Sequence, residues 1–317
     1  MTNLEKVLKN RRLTLALTGL TPQEFLELLP AFQTTLYRKR QQQYDDNPKR
    51  QRKPGGGSKG FLENPAKKLF FILFYCKCYP TYDVLSFIYD CARSNACRRQ
   101  QYLMKVLEAT LGKKQVLPTR QLKNLEEFFK AFPEAKEVFI DGTERPIQRP
   151  QDKQQQKANY SGKKKRHTRK NLLITTRQKR IGFLSKTVEG KQHDFTLLKG
   201  LAPPEFIPVT VRQQVDLGFK GYQQQYPEHW VVVPTRKPRN RELSKTIKEQ
   251  NTRKSRVRVL VEHAIGGVKR LRSTTDVFRN RIKDSDDQVM LVACGLWNYH
   301  LAMSWEAQNL QEYHIHG

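Results

Sequence analysis

The hydrophobic pattern of this chain changes period near residue 131, and that change limits the folds open to it. Before it, apolar residues recur at helical spacing: Phe25, Leu28, Leu29, Phe32 and Leu36 fall on one face of a helix over 21–37. Thr21 supplies an N-cap, Pro22 a first helical residue and Glu24 a capping-box partner. After it, short apolar runs take over: EVFID (137–141), KNLLITTR (170–177), RIGFLSKTVEG (180–190), VTVRQQVDLGF (209–219) and HWVVVPTR (229–236). Such runs, bounded by turn residues, predict strands, the second and third forming a hairpin. HDFTLLKGL (193–201) predicts a short helix capped by Asp194 and starting at Phe195. A basic helical stretch (241–272) and a final helix (288–305) follow.

The region ahead of the change is all-α. PAKKLFFILFYCKC (65–78), TYDVLSFIYDC (81–91, capped by Thr81) and SNACRRQQYLMKVLEATLG (94–112, capped by Ser94 or Asn95 and stopped by Gly112) read as three helices. A helix, a tight turn and a helix with Arg98, Arg99 and Gln101 near its start make a helix-turn-helix pattern. The alternative is a small helical bundle with a charged outer face. Net charge weighs against it: 59 Lys and Arg against 30 Asp and Glu give +29. A single-sign excess of that size calls for a polyanionic partner, and double-stranded DNA is the first candidate, since neutralised phosphates release counterions.

The basic segment 38–60, rich in Gly and Pro at its end, reads as a linker or DNA-facing loop; its GGGSKG piece lacks phosphate-loop spacing and a preceding strand. The expected divisions are 1–60 (helix and linker), 61–130 (helix-turn-helix region) and 131–317 (α/β domain). The longest apolar run, Leu69 to Cys76, is too short to span a bilayer, and the N-terminus has no apolar signal core, so the expected location is the cytosol. Cys76, Cys78, Cys91, Cys97 and Cys294 are odd in number and do not match zinc-module spacing; buried free thiols are expected.

Three strands, a helix, two strands and further helices follow the order of the RNase H-like α/β fold. Three acids stand where that order gathers charge: Asp141 at the end of the first strand, Asp216 at the end of the fourth, and Glu262 on the helix after the fifth. Adjacent parallel strands bring the two aspartates side by side. Crowded carboxylates repel unless a cation sits between them. Mg²⁺ or Mn²⁺ suits such oxygen donors, and two ions can clamp the attacking and leaving oxygens of a phosphodiester displacement. Taken singly, an Asp before Gly is a common turn. Asp194 is the rival for the second carboxylate, and His193 beside it reads as local structure or support for a ligand.

Several motifs make the resemblance specific: I-D-G-T-E at Asp141, G-x-x-H-D at Gly190 to Asp194, D-x-G-[FY]-K-G-Y at Asp216 to Tyr222, and R-V-x-V-E-H-x-I-G beginning at Arg256 or Arg258. Across nearly its whole length the chain resembles the DDE transposases of bacterial insertion sequences, in the group related to eukaryotic Harbinger elements. In that family Arg, three residues, Glu, six residues and Lys surround the glutamate; here these are Arg258, Glu262 and Lys269, on one helical face. Related groups carry a Tyr three residues before that Arg, whereas this chain has Ser255, so a Tyr role in handling flipped bases does not carry over.

The resemblance implies a metal-dependent endonuclease with two Mg²⁺ or Mn²⁺ ions on Asp141, Asp216 and Glu262. It would bind terminal inverted repeats and join 3′-hydroxyls to target DNA as a homodimer or higher multimer, in a prokaryotic nucleoid. Lys163, Lys164, Lys165 and Arg166 in the basic run GKKKRHTRK (162–170), together with Lys220, Arg258 and Lys269, are the expected DNA contacts, and Tyr222 a further one or a packing residue. A transposase-derived DNA-binding regulator, and a cellular nuclease without strand transfer, are the competing readings.

Overall fold

The computed structural model describes residues 3–47, 60–133, 135–238, 240 and 242–315, with side chains up to Trp305. Most of the basic linker, 48–59, lies outside the described residues. The chain divides into two compact units.

The first unit holds residues 1–117, 270–276 and 288–317. Its helices are α1 (Leu4–Leu8), α2 (Arg11–Thr18), α3 (Pro22–Asp45), α4 (Pro65–Cys78), α5 (Tyr82–Tyr89) and α6 (Arg93–Lys113). The Thr21–Glu24 capping box opens α3 as expected. Its helix runs well past residue 37, because Arg38 to Gln43 are good helix formers. Asn64 and Thr81 cap α4 and α5. Asp90, in the left-handed region at φ 47, turns the chain between α5 and α6. The start of α6 differs from expectation: Ala92 is its N-cap, and neither Ser94 nor Asn95 caps it. Gly112 lies within this helix, which ends one residue later.

The last helix also groups differently from the expected boundaries. From Gln288 it belongs with the N-terminal helices, not with the sheet. Val289, Met290, Val292, Ala293, Cys294 and Leu296 are all buried, so this helix is apolar around much of its circumference and needs a helical surround. Tyr299 Oη donates to Glu24 O at 2.9 Å and Asn298 Nδ2 to Val116 O at 2.9 Å, tying it into the first unit.

The second unit, residues 118–269 and 277–287, is built on a mixed sheet. In chain order it holds α7 (Leu125–Ala131), β1 (Glu137–Pro146), α8 (Lys153–Asn159), β2 (Tyr160–Ser161), β3 (Arg166–Thr176), β4 (Ile181–Leu184), β5 (Val188–Glu189), α9 (Asp194–Leu201), β6 (Arg212–Gln214), α10 (Tyr222–Gln225), β7 (Val231–Val232) and α11 (Lys245–Lys269). The final helix, α12, spans Ser285–Ile315. The spatial order is β2-β3-β1-β6-β7, with β4 and β5 also on β3. β1, β3 and β4 are antiparallel, whereas β1, β6 and β7 are parallel, in the RNase H-like arrangement. Phe128, Phe132, Val138, Ile140, Leu172, Ile174, Phe183, Leu198 and Phe219 form part of its core. No helix among the described residues is long and apolar enough to cross a membrane.

Two strand expectations change. β1 does not stop at Asp141 but continues to Pro146, paired throughout with β3. The basic run is not one loop: only Gly162–Lys165 form the turn, and Arg166–Lys170 belong to β3.

Candidate active site

Parallel pairing places the two aspartates. Glu137, Val138 and Phe139 of β1 stand opposite Arg212, Gln213 and Gln214 of β6. The same offset carries Asp141 opposite Asp216, two residues beyond the end of β6. Asp216 caps a short 3-10 turn (Leu217–Phe219), its Oδ1 accepting from Gly218 N at 2.7 Å. Asp141 Oδ1 accepts from Gly142 N at 2.7 Å. Burial and then the neighbouring Asp216 charge push the Asp141 carboxyl up to about 6; Arg258 and the Gly142 amide pull the other way, and Asp194 adds to the rise. Arg258 Nη2 is 3.9 Å from Asp141 Oδ2, a loose pairing that leaves this carboxylate under-compensated.

Strand alternation separates the neighbours of β1 onto two faces. Asp141 meets Arg258 of α11. Gly142 and Glu144 meet the start of α9 and the adjoining β3. A Cβ on Gly142 would come within 2.4 Å of Asp194 Oδ1, so the glycine is required for this approach. Asp194 is the first residue of α9 and not its cap; His193 holds that position without a side-chain hydrogen bond. The expected capping role of Asp194 is therefore absent. Its partner is Lys170, whose Nζ lies 3.0 Å from Asp194 Oδ1 and 3.5 Å from Glu144 Oε1. Lys170 is buried and is no surface contact, unlike Lys163, Lys164, Lys165 and Arg166, which are exposed at the hairpin.

Glu262 sits on α11, exposed, one helical turn after Arg258. Lys269 shares that face. Burial and the like charge of Lys164 lower its ammonium below the usual lysine range, while Asp141 and Glu144 act in the opposite direction. The structure thus brings Asp141, Asp216 and Asp194 together, with Arg258 and Lys269 close by. Among the described residues no three His, Cys, Asp or Glu side chains form a metal-holding group, so neither the three aspartates nor Glu262 with them make a preformed one. The groups that lie near one another offer carboxylate oxygens, with Asp141 destabilised in its charged form, and that donor type suits a hard divalent cation.

A cavity of about 950 Å³ is lined by Glu144, Asp194 and Asp216 together with Lys163, Lys220 and Arg236, while Asp141 lies outside its lining. Tyr222, by contrast, is fully buried; its hydroxyl donates to Gln213 Oε1 and its ring packs on Phe195, so it is a core residue and not a DNA contact. In the first unit, Arg99 is exposed on α6. Arg98 folds back on its own helix, donating to Ser94 O at 3.3 Å and Asn95 Oδ1 at 3.1 Å, and Gln101 Nε2 donates to Cys97 Sγ at 3.1 Å.

From the sequence Lys170 is only part of a basic run expected to track phosphates, and Glu144 only part of the I-D-G-T-E motif. Lys170 was hidden in a charge run, and its pairing with Glu144 follows only from the β1–β3 register, in which the two stand directly opposite.

A sequence model described as "helix-turn-helix of DDE superfamily endonuclease" matches residues 61–113, which contain α4, α5 and α6. A probable transposase for insertion sequence element IS702 from Microchaete diplosiphon is 29% identical over 263 residues, covering 80% of this chain and 86% of that protein. No solved structure matches. The model described as "DDE superfamily endonuclease" matches residues 140–298, half of the chain, from the strand bearing Asp141 to the last helix; the chain belongs to that superfamily.

Proposed function

We propose that this chain is a transposase that cuts DNA at the ends of its element and joins those ends to target DNA, using Asp141, Asp216 and Glu262. The observation that carries this reading is the shared register of β1 and β6, which sets Asp141 opposite Asp216 and crowds their charge. DDE endonucleases generally use divalent metal ions. Here Asp141 and Asp216 would hold two Mg²⁺ or Mn²⁺ ions from the sheet, and Glu262 would join them from α11. Bound there, the ions would lower the pKa of the attacking hydroxyl or water and stabilise the departing 3′-oxygen.

The chain's own residues do the rest. Arg258 and Lys269 flank Glu262 on one face of α11 and neutralise phosphates beside the scissile bond. Lys163, Lys164, Lys165, Arg166 and Lys220 are exposed and hold the backbone without reading bases. Arg98, Arg99 and Gln101 near the start of α6 carry recognition of the terminal inverted repeats. Two copies of the chain hold the two ends.

The test is a strand-transfer assay with the inverted repeats that flank the reading frame. A duplex ending in a free 3′-hydroxyl is incubated with target plasmid and Mg²⁺. Joined products are the expected result. Cleavage without joining would make the protein a nuclease, and binding without either a DNA-binding regulator.

A further inference from the structure

The motif Gly190 to Asp194 has no part in the reaction as proposed, yet it is built tightly against the centre. Gly190 crosses β3 so closely that a Cβ would stand 1.9 Å from Thr168 Oγ1 and 2.6 Å from Thr168 O. Its amide donates to Thr168 O at 3.0 Å. Thr168 Oγ1 in turn donates to Glu144 Oε2 at 2.8 Å. Two residues along β3, Lys170 Nζ donates to Gln192 O at 2.7 Å and pairs with Asp194 and Glu144. The glycine therefore brings the loop onto the strand, and the lysine fastens both the loop and the carboxylate that follows it.

That carboxylate is wedged between the two aspartate-bearing turns. One oxygen of Asp194 lies 2.4 Å from where a Gly142 Cβ would be, and the other 2.7 Å from where a Gly218 Cβ would be. Gly142 follows Asp141, and Gly218 is the residue whose amide Asp216 accepts from. Asp194 thus touches the backbone beside both acids. Its contacts are on the Gly142 face of β1, while Asp141 itself meets Arg258 of α11. The Lys170 ammonium, hydrogen-bonded to Gln192 O, stands 3.0 Å from Asp194 Oδ1 and supplies a cation from the chain itself.

We propose that Asp194 and Lys170 are positioning residues that set the spacing and orientation of Asp141 and Asp216 for divalent-ion binding, without themselves ligating the ion. This inference rests on the metal-binding reading of Asp141 and Asp216. Lys170 acts through Asp194, and Asp194 acts through the backbone at Gly142 and Gly218. Supporting groups of this kind typically alter metal affinity by about 10–100-fold when removed.

The test measures Mn²⁺ binding to the full-length protein by titration calorimetry, alongside thermal melting and Mg²⁺-dependent cleavage. Asp194→Asn keeps the shape and removes the charge; Lys170→Met keeps the length and removes the ammonium. Each is expected to weaken Mn²⁺ binding about tenfold, Asp194→Asn with little change in melting temperature and Lys170→Met with a lower one, because it strands Glu144 and Asp194. The double variant is expected to be no worse than either single one, since the two act as a unit. Unchanged Mn²⁺ affinity in Asp194→Asn overturns the proposal. So does a loss as complete as that of Asp141→Asn, which would make Asp194 a ligand. Effects that multiply in the double variant also overturn it. If Lys170→Met does not fold, Asp194→Asn alone decides. A wild-type chain that binds Mn²⁺ through Asp141 but cuts no DNA overturns the functional reading and leaves this one standing; one that binds no Mn²⁺ overturns both.

Discussion

Two half-buried to buried carboxylates of the sheet unit, Asp141 and Asp287, sit in opposite electrostatic states. Asp287 is gripped: Arg120 Nη2 lies 2.6 Å from each of its oxygens, and Thr187 donates both N and Oγ1 to Oδ1 at 2.8 Å. Burial raises its pKa, but Arg120 and the Thr187 donors outweigh burial and hold the carboxyl below the ordinary value. Asp141 has one short bond, from the Gly142 amide, one cation at 3.9 Å, and a second aspartate beside it. Burial and like charge win there. The same residue type is thus used once as a fully answered structural anchor and once as a site left short of positive charge. The deficit is what a catalytic ion would fill.

The comparison breaks first at the level of activity. Asp141→Ala is expected to reduce Mg²⁺-dependent cleavage at least about 1,000-fold, roughly 4 kcal/mol of barrier, with DNA-end binding largely retained. Full activity in a gel-based cleavage assay would place the chemistry elsewhere. Asp287→Ala is expected to act on stability instead. Removing one partner of a buried pair strands Arg120, at a cost of about 3–5 kcal/mol in chemical denaturation. A loss under about 1 kcal/mol would show the pair to be surface-like.

The smallest effect has the opposite sign. Asp141 binds its proton more tightly folded, at about 6, than unfolded, at 3.8, so its contribution to stability falls as pH rises through that window. Asp141→Asn is therefore expected to stabilise the metal-free protein by about 2–3 kcal/mol at pH 7.5, with the gain vanishing below about pH 4. For Asp287 the window is reversed: its lowered value stabilises above the unfolded pKa and is lost as pH falls through the folded one. A variant Asp141→Asn with unchanged or reduced stability at pH 7.5 would contradict the charge deficit.

How much of this was readable beforehand depends on what each residue's role is made of. Asp141 was legible because it follows the apolar run Val138–Ile140, and Asp216 because it follows a β-branched stretch, 209–215, that reads as a strand despite its polar centre. Continuation of β1 through Gly142–Pro146 was not, since Gly142, Glu144 and Pro146 are poor strand formers; pairing with β3 imposes the conformation. Asp194 has the local look of a helix cap, and only tertiary packing shows that His193 occupies that place. Lys170 has the look of a solvated charge, because its counter-ions are distant in sequence. The grouping of α12 with the N-terminal helices depends on which apolar surfaces meet, which no local pattern records.

The parallel ladder between β1 and β6 also restricts how this sequence can drift in length. Side chains along a strand alternate faces, so losing or gaining one residue between Glu137 and Asp141, or between Arg212 and Asp216, would turn that aspartate to the wrong side. Loops elsewhere can lengthen or shorten with little penalty, but these two four-residue intervals work as a matched pair of rulers, and indels should be tolerated everywhere near the centre before they are tolerated there.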